Sequence, residues 1–293
     1  MSVPLPGWYS AEQDRPIPEQ LRDGVRGLLI DTHYADRLPN GRIRTVIDDA
    51  AARETAGRDG IGPEAVDAAL RIRARLGFKG RGERGIYLCH TFCELGATKL
   101  DDVLGQLRRF LVANPGEVVV VVNQDAITPA DFVAAVRRAG LERHVYRGPV
   151  DGRWPTLRQM IASDQRLVLL AEERAGGAPW YRPAYARALQ ETPYAFGRVG
   201  QLTDPARRPA SCVPNRGPSS APLLLLNHWI STDPLPQPTQ AATVNAYGPL
   251  LARARACAAI RHRTPNLVAV NFYRRGDLMR VVDALNGIDG GSR

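Results

Sequence analysis

Between Gly85 and Asp125 the chain passes through three rhythms of apolar and polar positions. Ile86 to Cys89 is a short apolar run that ends at His90. Leu100, Val103, Leu104, Leu107, Phe110 and Leu111 then recur at i, i+3 and i+4, the mark of a helix with one buried face. Asn114-Pro115-Gly116 stops that helix, because proline lacks the N–H donor and glycine permits the reversal. Val118–Val122 follow as consecutive β-branched residues without polar alternation, which suits a strand covered on both faces, as in a parallel sheet. The stretch predicts a β-α-β unit whose strands end in polar groups, His90 on one and Asn123, Gln124 and Asp125 on the other. In an α/β barrel, chemistry collects at strand C-termini.

The same reading extends along the chain. The opening residues, through Gln20, are proline-rich and loop-like, with a short helix over Ile17–Gly24 and a strand over Arg26–Ile30 that ends at Asp31. A polar, glycine-punctuated insertion from Arg37 to Arg84 contains a helical pattern over Pro63–Leu76. Beyond the central unit, helices are predicted at Pro129–Ala139 with Thr128 as N-cap, Thr156–Ser163, Gln240–Arg261 and Gly276–Asn286. Further strands are predicted at Arg166–Leu170, near Tyr194–Val199, at Leu223–Leu226 and at Leu267–Val270, and a proline-rich loop, DPLPQP, precedes the long helix. Seven strands alternate with helical or long segments, the pattern of a parallel α/β sheet. A closed barrel needs about eight.

With 293 residues, the chain has room for one such barrel or two smaller domains, and neither an internal repeat nor a flexible linker divides it. It is accordingly expected to be a single domain over residues 1–293. Hydrophobic residues at 44% and charged residues at 24% describe an ordinary soluble globular composition. No apolar run approaches the ~20 residues of a membrane span. The net charge of +9 comes from arginines dispersed along helices, a pattern that argues against nucleic-acid binding while remaining compatible with an anionic lipid surface. Four cysteines, Cys89, Cys93, Cys212 and Cys257, make an even count. Two disulfides, Cys89–Cys93 and Cys212–Cys257, are preferred over free buried thiols or a thiolate metal site, and imply an oxidising compartment outside the cytoplasm, extracellular or in the cell envelope.

A histidine at a strand end, then a helix, FLVANPGE and a β-branched strand together resemble the catalytic X region of phosphatidylinositol-specific phospholipase C and its bacterial PLC-like relatives. The resemblance extends upstream to GVRGLLIDTH and downstream to LLLLNHW and NLVAVNFYRRGDLMRVVDALNG. It implies a distorted (β/α)8 TIM-type barrel and a phosphoric diester hydrolase acting on a phosphoinositide headgroup or another small phosphodiester at a membrane surface. In relatives, the first strand carries a THNA-like motif immediately before an MS-like dipeptide, and this chain opens at Met1-Ser2. The first strand, with one catalytic histidine and any export segment, is therefore expected to lie upstream of the given start.

The resemblance also assigns residues. His90 matches the second catalytic histidine and is the expected general acid. Asp31 matches the position of an acidic calcium ligand in metal-using relatives, so Ca2+ is the expected cofactor if there is one. Leu29 and Gln124 stand where companion acidic groups would be, and Asp125 is the nearest substitute, although one residue along a strand points the other way. His33 shares the face of Asp31. Glu172, His228, Trp229 and Arg216 end strands or flank them and are candidates for sugar or phosphate contacts. Asn271 stands where many relatives carry an imidazole-orienting aspartate. His144 and His262, in arginine-rich surroundings, are expected to be solvated. A catalytically degenerate binding module and a secreted interaction scaffold are the competing readings.

Overall fold

The computed structural model describes residues 11–47, 71–73, 75–90, 92–231 and 237–288. The opening loop to Ser10, most of the predicted Pro63–Leu76 helix and most of the DPLPQP loop lie outside these residues.

After a short helix α1 (Ile17–Arg22), the chain enters β1 (Gly27–Arg37), whose two halves do different things. Gly27 to His33 pair in parallel with β5 (Val119–Ala126), and Thr32 to Arg37 run on past the sheet. That extension pairs antiparallel with β2 (Ile43–Thr45) and with β3 (Glu83–Leu88), and β3 in turn pairs with β4 (Thr98–Lys99). The expected parallel β-α-β unit beginning at Ile86 is thus replaced by a hairpin arm that folds back over β1. The parallel neighbours joined by a helix are β1 and β5, linked through the arm and α2 (Leu100–Ala113). His90 still reaches the strand ends, because β3 travels back down the arm until the Cys89 N–H donates to the Asp31 carbonyl at 3.2 Å.

The α2 periodicity is borne out. Leu100, Val103, Leu104, Leu107 and Leu111 are buried, each contributing about 1.5–3 kcal/mol of apolar burial, while Phe110 stays at the edge beneath the Arg26 guanidinium. Next comes α3 (Pro129–Arg138), with the Thr128 hydroxyl accepting from the Asp131 N–H at 3.2 Å as the N-cap. A shorter α4 (Leu157–Ala162) opens with a capping box between Thr156 and Gln159 and leads to β6 (Leu167–Ala171), parallel to β5.

The sheet continues through β7 (Arg182–Pro183), then a wide helical turn, Ala184–Ala188, passes the chain to a second sheet. This sheet is formed by β8 (Leu189–Glu191), β9 (Leu223–Asn227) and β10 (Leu267–Ala269), all parallel. The strand expected near Tyr194–Val199 lies earlier, at Leu189–Glu191; beyond it Pro193 can donate no ladder hydrogen bond. The long helix expected over Gln240–Arg261 is two helices, α5 (Pro238–Val244) and α6 (Tyr247–Arg261). The break falls at Asn245, whose carbonyl accepts from the Asp277 N–H at 2.9 Å, while the Asp277 carboxylate accepts from the Tyr247 N–H at 2.9 Å and restarts the helix. The chain's last described helix is α7 (Leu278–Leu285).

One apolar cluster shows that the two sheets wrap around a common axis. Leu29, Val122, Leu170, Leu189, Leu223 and Leu267, from β1, β5, β6, β8, β9 and β10, pack into it together. The alternate residues of the same strands, such as Leu28, Ile30, Val121 and Leu169, face outward against the helices. The result is a distorted α/β barrel whose two sheets are not joined by strand pairing. At the seam between β10 and β1, a Cβ on Gly27 would stand 3.1 Å from Leu267 Cδ2, so glycine is what lets the two strands approach. The mouth end of that seam is bridged by residues 12 and 13. The Phe272 N–H donates to the Glu12 carbonyl at 2.7 Å, the Gln13 amide donates to the Val270 carbonyl at 2.8 Å, and the Tyr273 N–H donates to Gln13 Oε1 at 3.0 Å. Among the described residues no strand pairs with β1 on this side.

Both predicted disulfides form, Cys89–Cys93 in the hairpin arm and Cys212–Cys257 between a short loop and α6.

Candidate active site at the barrel mouth

Strand parity decides which side chains enter the mouth. Inward of the apolar floor, Asp31 on β1 stands opposite Gln124 on β5, and Glu172 follows directly after β6 with its N–H donating to the Asn123 carbonyl at 2.8 Å. These three form a row across neighbouring strands, one layer above Leu29, Val122 and Leu170. His90 arrives from the arm and brings Nδ1 to 3.9 Å from Asp31 Oδ2. The strongest contact of that nitrogen is one the sequence did not signal: Glu12, from the seam segment, places Oε1 3.2 Å away.

The charges follow from this geometry. The Glu12 carboxylate, aided by Asp31 and opposed by burial, raises His90 to about 9, so the imidazole is a cation at neutral pH. Burial pushes the Glu12 carboxyl up, and the facing imidazolium outweighs it and holds the group below the ordinary carboxylate range. His33, two residues beyond Asp31, is buried beneath the arm, and its Nε2 meets no hydrogen-bond partner. Burial, against the pull of Asp31, lowers it to about 4 and keeps it neutral.

Across the mouth, Glu172 is bound by Arg216. Burial pushes its carboxyl up, Arg216 opposes this, and the charge of Asp31 across the row adds to the rise. Arg216 also donates from Nε to Glu191 at 2.6 Å and from Nη2 to the Tyr185 hydroxyl at 3.2 Å, while its guanidinium lies over the Tyr185 ring at 4.1 Å. Burial works against its charge, but Glu191 and the other anionic partners hold it firmly protonated. Its donors are committed, so Arg216 serves to fix Glu172 more than to present an open phosphate clamp. Glu191, fully buried, accepts in addition from Asn215 at 2.7 Å and Asn227 at 3.0 Å. This carboxylate and Tyr185 went unnoticed in the sequence, where only the inward parity of Glu191 on a correctly placed β8 marks it.

Trp229 is half-buried and stacks on Tyr194 with ring centroids 6.3 Å apart, and Tyr194 lies in turn over Arg216 at 5.2 Å. Asn271 lines a small cleft beside Trp229, and its carbonyl accepts from the Asn245 amide at 2.9 Å. Two expected site residues are elsewhere. His228 has the outward parity of Leu226 and is 0% exposed under α6, with Nε2 donating to the Val244 carbonyl at 2.9 Å and Nδ1 accepting from Arg253 at 3.1 Å. Asp125 likewise turns outward and accepts from the N–H groups of Glu173 at 2.9 Å and Arg174 at 2.8 Å. His144, expected in solvent, is buried against Asp164 at 2.9 Å; His262 is exposed.

A calcium ion takes about six to eight oxygen ligands. Leu29 supplies none, Asp125 faces away, Glu172 is neutralised by Arg216, and the carboxylates of Glu12 and Asp31 converge on an imidazolium. Among the described residues no group of three or more His, Cys, Asp or Glu side chains is gathered to hold a metal. These donors do not fit calcium.

A barrel of parallel strands with a protonated imidazole, carboxylates and an aromatic shelf at its C-terminal mouth defines the class. The family model for the PI-PLC X domain (PI-PLC X 1) matches residues 72–286, and the chain belongs to this family. Among curated proteins, it is 26% identical over 74% of its length to a PI-PLC X domain-containing protein 1 of Arthroderma benhamiae, covering 75% of that protein. It is 26% identical over 97% of its length to an uncharacterized secreted protein of the same fungus, covering 58% of it. Among solved structures, the phosphatidylinositol-specific phospholipase C from Listeria monocytogenes superposes with a TM-score of 0.52 at 14% identity, covering 94% of this chain and 83% of that one. At that identity the likeness is one of fold.

Proposed function

We propose that the chain is a phospholipase C-type phosphodiesterase acting on a phosphoinositide or related phosphodiester headgroup. The observation that carries this reading is His90 at the mouth, with Nδ1 3.2 Å from Glu12 and 3.9 Å from Asp31, and Asp31 in one row with the Arg216-bound Glu172. In the reaction, a hydroxyl of the headgroup attacks phosphorus, a new O–P bond forms and the bond to the leaving oxygen breaks. His90, protonated at neutral pH, donates its proton to that oxygen, and its charge also lies beside the phosphoryl oxygens. The attacking hydroxyl gives up its proton to a carboxylate, for which Asp31 and Glu172 are the candidates. The Trp229–Tyr194 shelf offers an apolar face to a sugar ring. The disulfides and the name of the secreted relative support an extracellular or cell-envelope setting, where an exposed basic surface meets anionic lipid.

A second reading, a headgroup-binding module without turnover, is favoured by one observation. Among the described residues His90 is the one imidazole at the mouth, since His33 is buried and His228 and His144 are interior. Release of water-soluble inositol phosphate from phosphatidylinositol vesicles separates the two. Turnover by the native chain, lost about 100-fold or more in His90→Ala and unaffected by a calcium chelator, supports the enzyme. Vesicle binding without any release supports the module.

A further inference from the structure

Of the two carboxylates paired with the His90 imidazole, the nearer belongs to no motif. Glu12 lies on the segment that bridges the β10–β1 seam, and its carboxylate approaches Nδ1 to 3.2 Å, closer than Asp31 at 3.9 Å. Nδ1 is closed off from solvent and makes no hydrogen bond of full geometry, so the Glu12 carboxylate meets it as an ion-pair contact. The segment is held on both sides of Glu12. Its own carbonyl accepts from the Phe272 N–H at 2.7 Å, Gln13 bonds to Val270 and Tyr273, and Asp14 accepts from Arg275 at 2.8 and 3.0 Å. A surface carboxylate meeting a histidine by chance would not have its neighbours fixed in this way to the end of the last barrel strand.

We propose that Glu12 is a positioning residue of the mouth: its carboxylate holds Nδ1–H of the His90 imidazolium, so that Nε2 presents its proton to the leaving oxygen. The role rests on the phosphodiesterase reading above. The seam segment thereby becomes part of the active site. Glu12 itself meets no substrate atom in this scheme and acts through His90. The charged and titratable groups facing the ring are Glu12 from the seam, and Asp31 and the neutral His33 from β1.

The test uses the full chain with Glu12→Gln and Glu12→Asp, read in two independent ways. The first is the NMR titration of His90, which requires no turnover. The wild-type midpoint is expected near 9 and should fall toward the ordinary 6.5 in the Gln variant, with Asp31 retaining part of the rise. The second is the pH profile of inositol phosphate release from vesicles. A full fall to the ordinary value cuts the protonated fraction about 30-fold at about pH 8 but only about 1.3-fold at about pH 6. Activity loss in the Gln variant should therefore deepen steeply with rising pH, and Glu12→Asp should restore part of it. An unchanged His90 midpoint overturns the proposal. So does a Gln variant with turnover equal to or above wild type across the range, the result expected if the carboxylate only competed with phosphate for the imidazolium. If the Gln variant does not fold, Glu12→Ala is titrated in its place, a lowered His90 midpoint supporting the role and an unchanged one refuting it. If the wild type releases no product, the titration still judges Glu12, and the phosphodiesterase reading falls separately.

Discussion

Glu191→Ala tests how the mouth is held together. The wild-type carboxylate is fully buried and accepts from Arg216, Tyr185, Asn215 and Asn227, with the Arg216 Nε bond at 2.6 Å. Its removal leaves a half-buried guanidinium with Glu172 as its sole carboxylate and strips the acceptor from three further donors. Breaking one side of a buried ion pair costs about 3–5 kcal/mol, because the surviving charge cannot be resolvated in place. Each kcal/mol lowers the melting temperature of a domain of this size by about 2–4 °C, so a fall of about 6–20 °C is expected. Urea unfolding followed by far- and near-ultraviolet circular dichroism gives the free energy and checks that both probes agree. Arg216→Ala and the double variant complete a cycle, in which the double loss should be smaller than the sum of the single losses by at least about 1 kcal/mol. A Glu191→Ala cost below about 1 kcal/mol, or additive losses, would refute the account of Glu191 as the anchor of Arg216.

Two other outcomes follow from the chemistry of the wall. The Cys212–Cys257 bridge closes a 45-residue separation and Cys89–Cys93 one of 4, so in the loop-entropy model their removal costs about 4 and about 2 kcal/mol respectively. Pairwise replacement by Ala, read by denaturant midpoint, checks that order, and a larger loss from the short bridge contradicts it. Stability should also peak near neutral pH. His33, lowered to about 4, stabilises fully above its ordinary 6.5, and this contribution is lost as pH falls through about 4. His90, raised to about 9, stabilises fully below 6.5, and this is lost as pH rises through about 9. With a side chain 39% exposed, His90 contributes only about 1 kcal/mol after solvent screening. The alkaline decline should therefore be shallow and should vanish in His90→Ala; a decline that persists assigns it to another group.

Much of the barrel was legible because its signals are local. The β-branched run of β5, the face of α2 and the cap at Thr128 are each read from a few consecutive residues, and they stand where expected. The antiparallel arm was not legible, since Ile86–Cys89 is apolar in a way that suits either strand direction. The Tyr194 strand was misplaced for a similar reason: aromatic residues after Pro193 suggest extended chain, whereas the register with β9 is made by Leu189 to Glu191. At the site, His90, Asp31 and Glu172 come together as their strand-end positions imply. His228 fails by parity, one residue past the inward Asn227, and parity could be counted only once the floor residues of β9 were known. Glu12 carries no sequence signal, because it reaches the mouth through hydrogen bonds to a segment some 260 positions away (the Tyr273 bond to Gln13 spans 260).

The outward turn of Asp125 bears on how this mouth can diversify. By gripping the amides just after Glu172 from behind the sheet, it couples a mouth-facing side chain to the helical shell outside the mouth. Substitutions in that shell can tilt Glu172 and retune recognition while every lining residue keeps its identity. On the proposed reading, descendants of this sequence with identical mouths need not share a substrate.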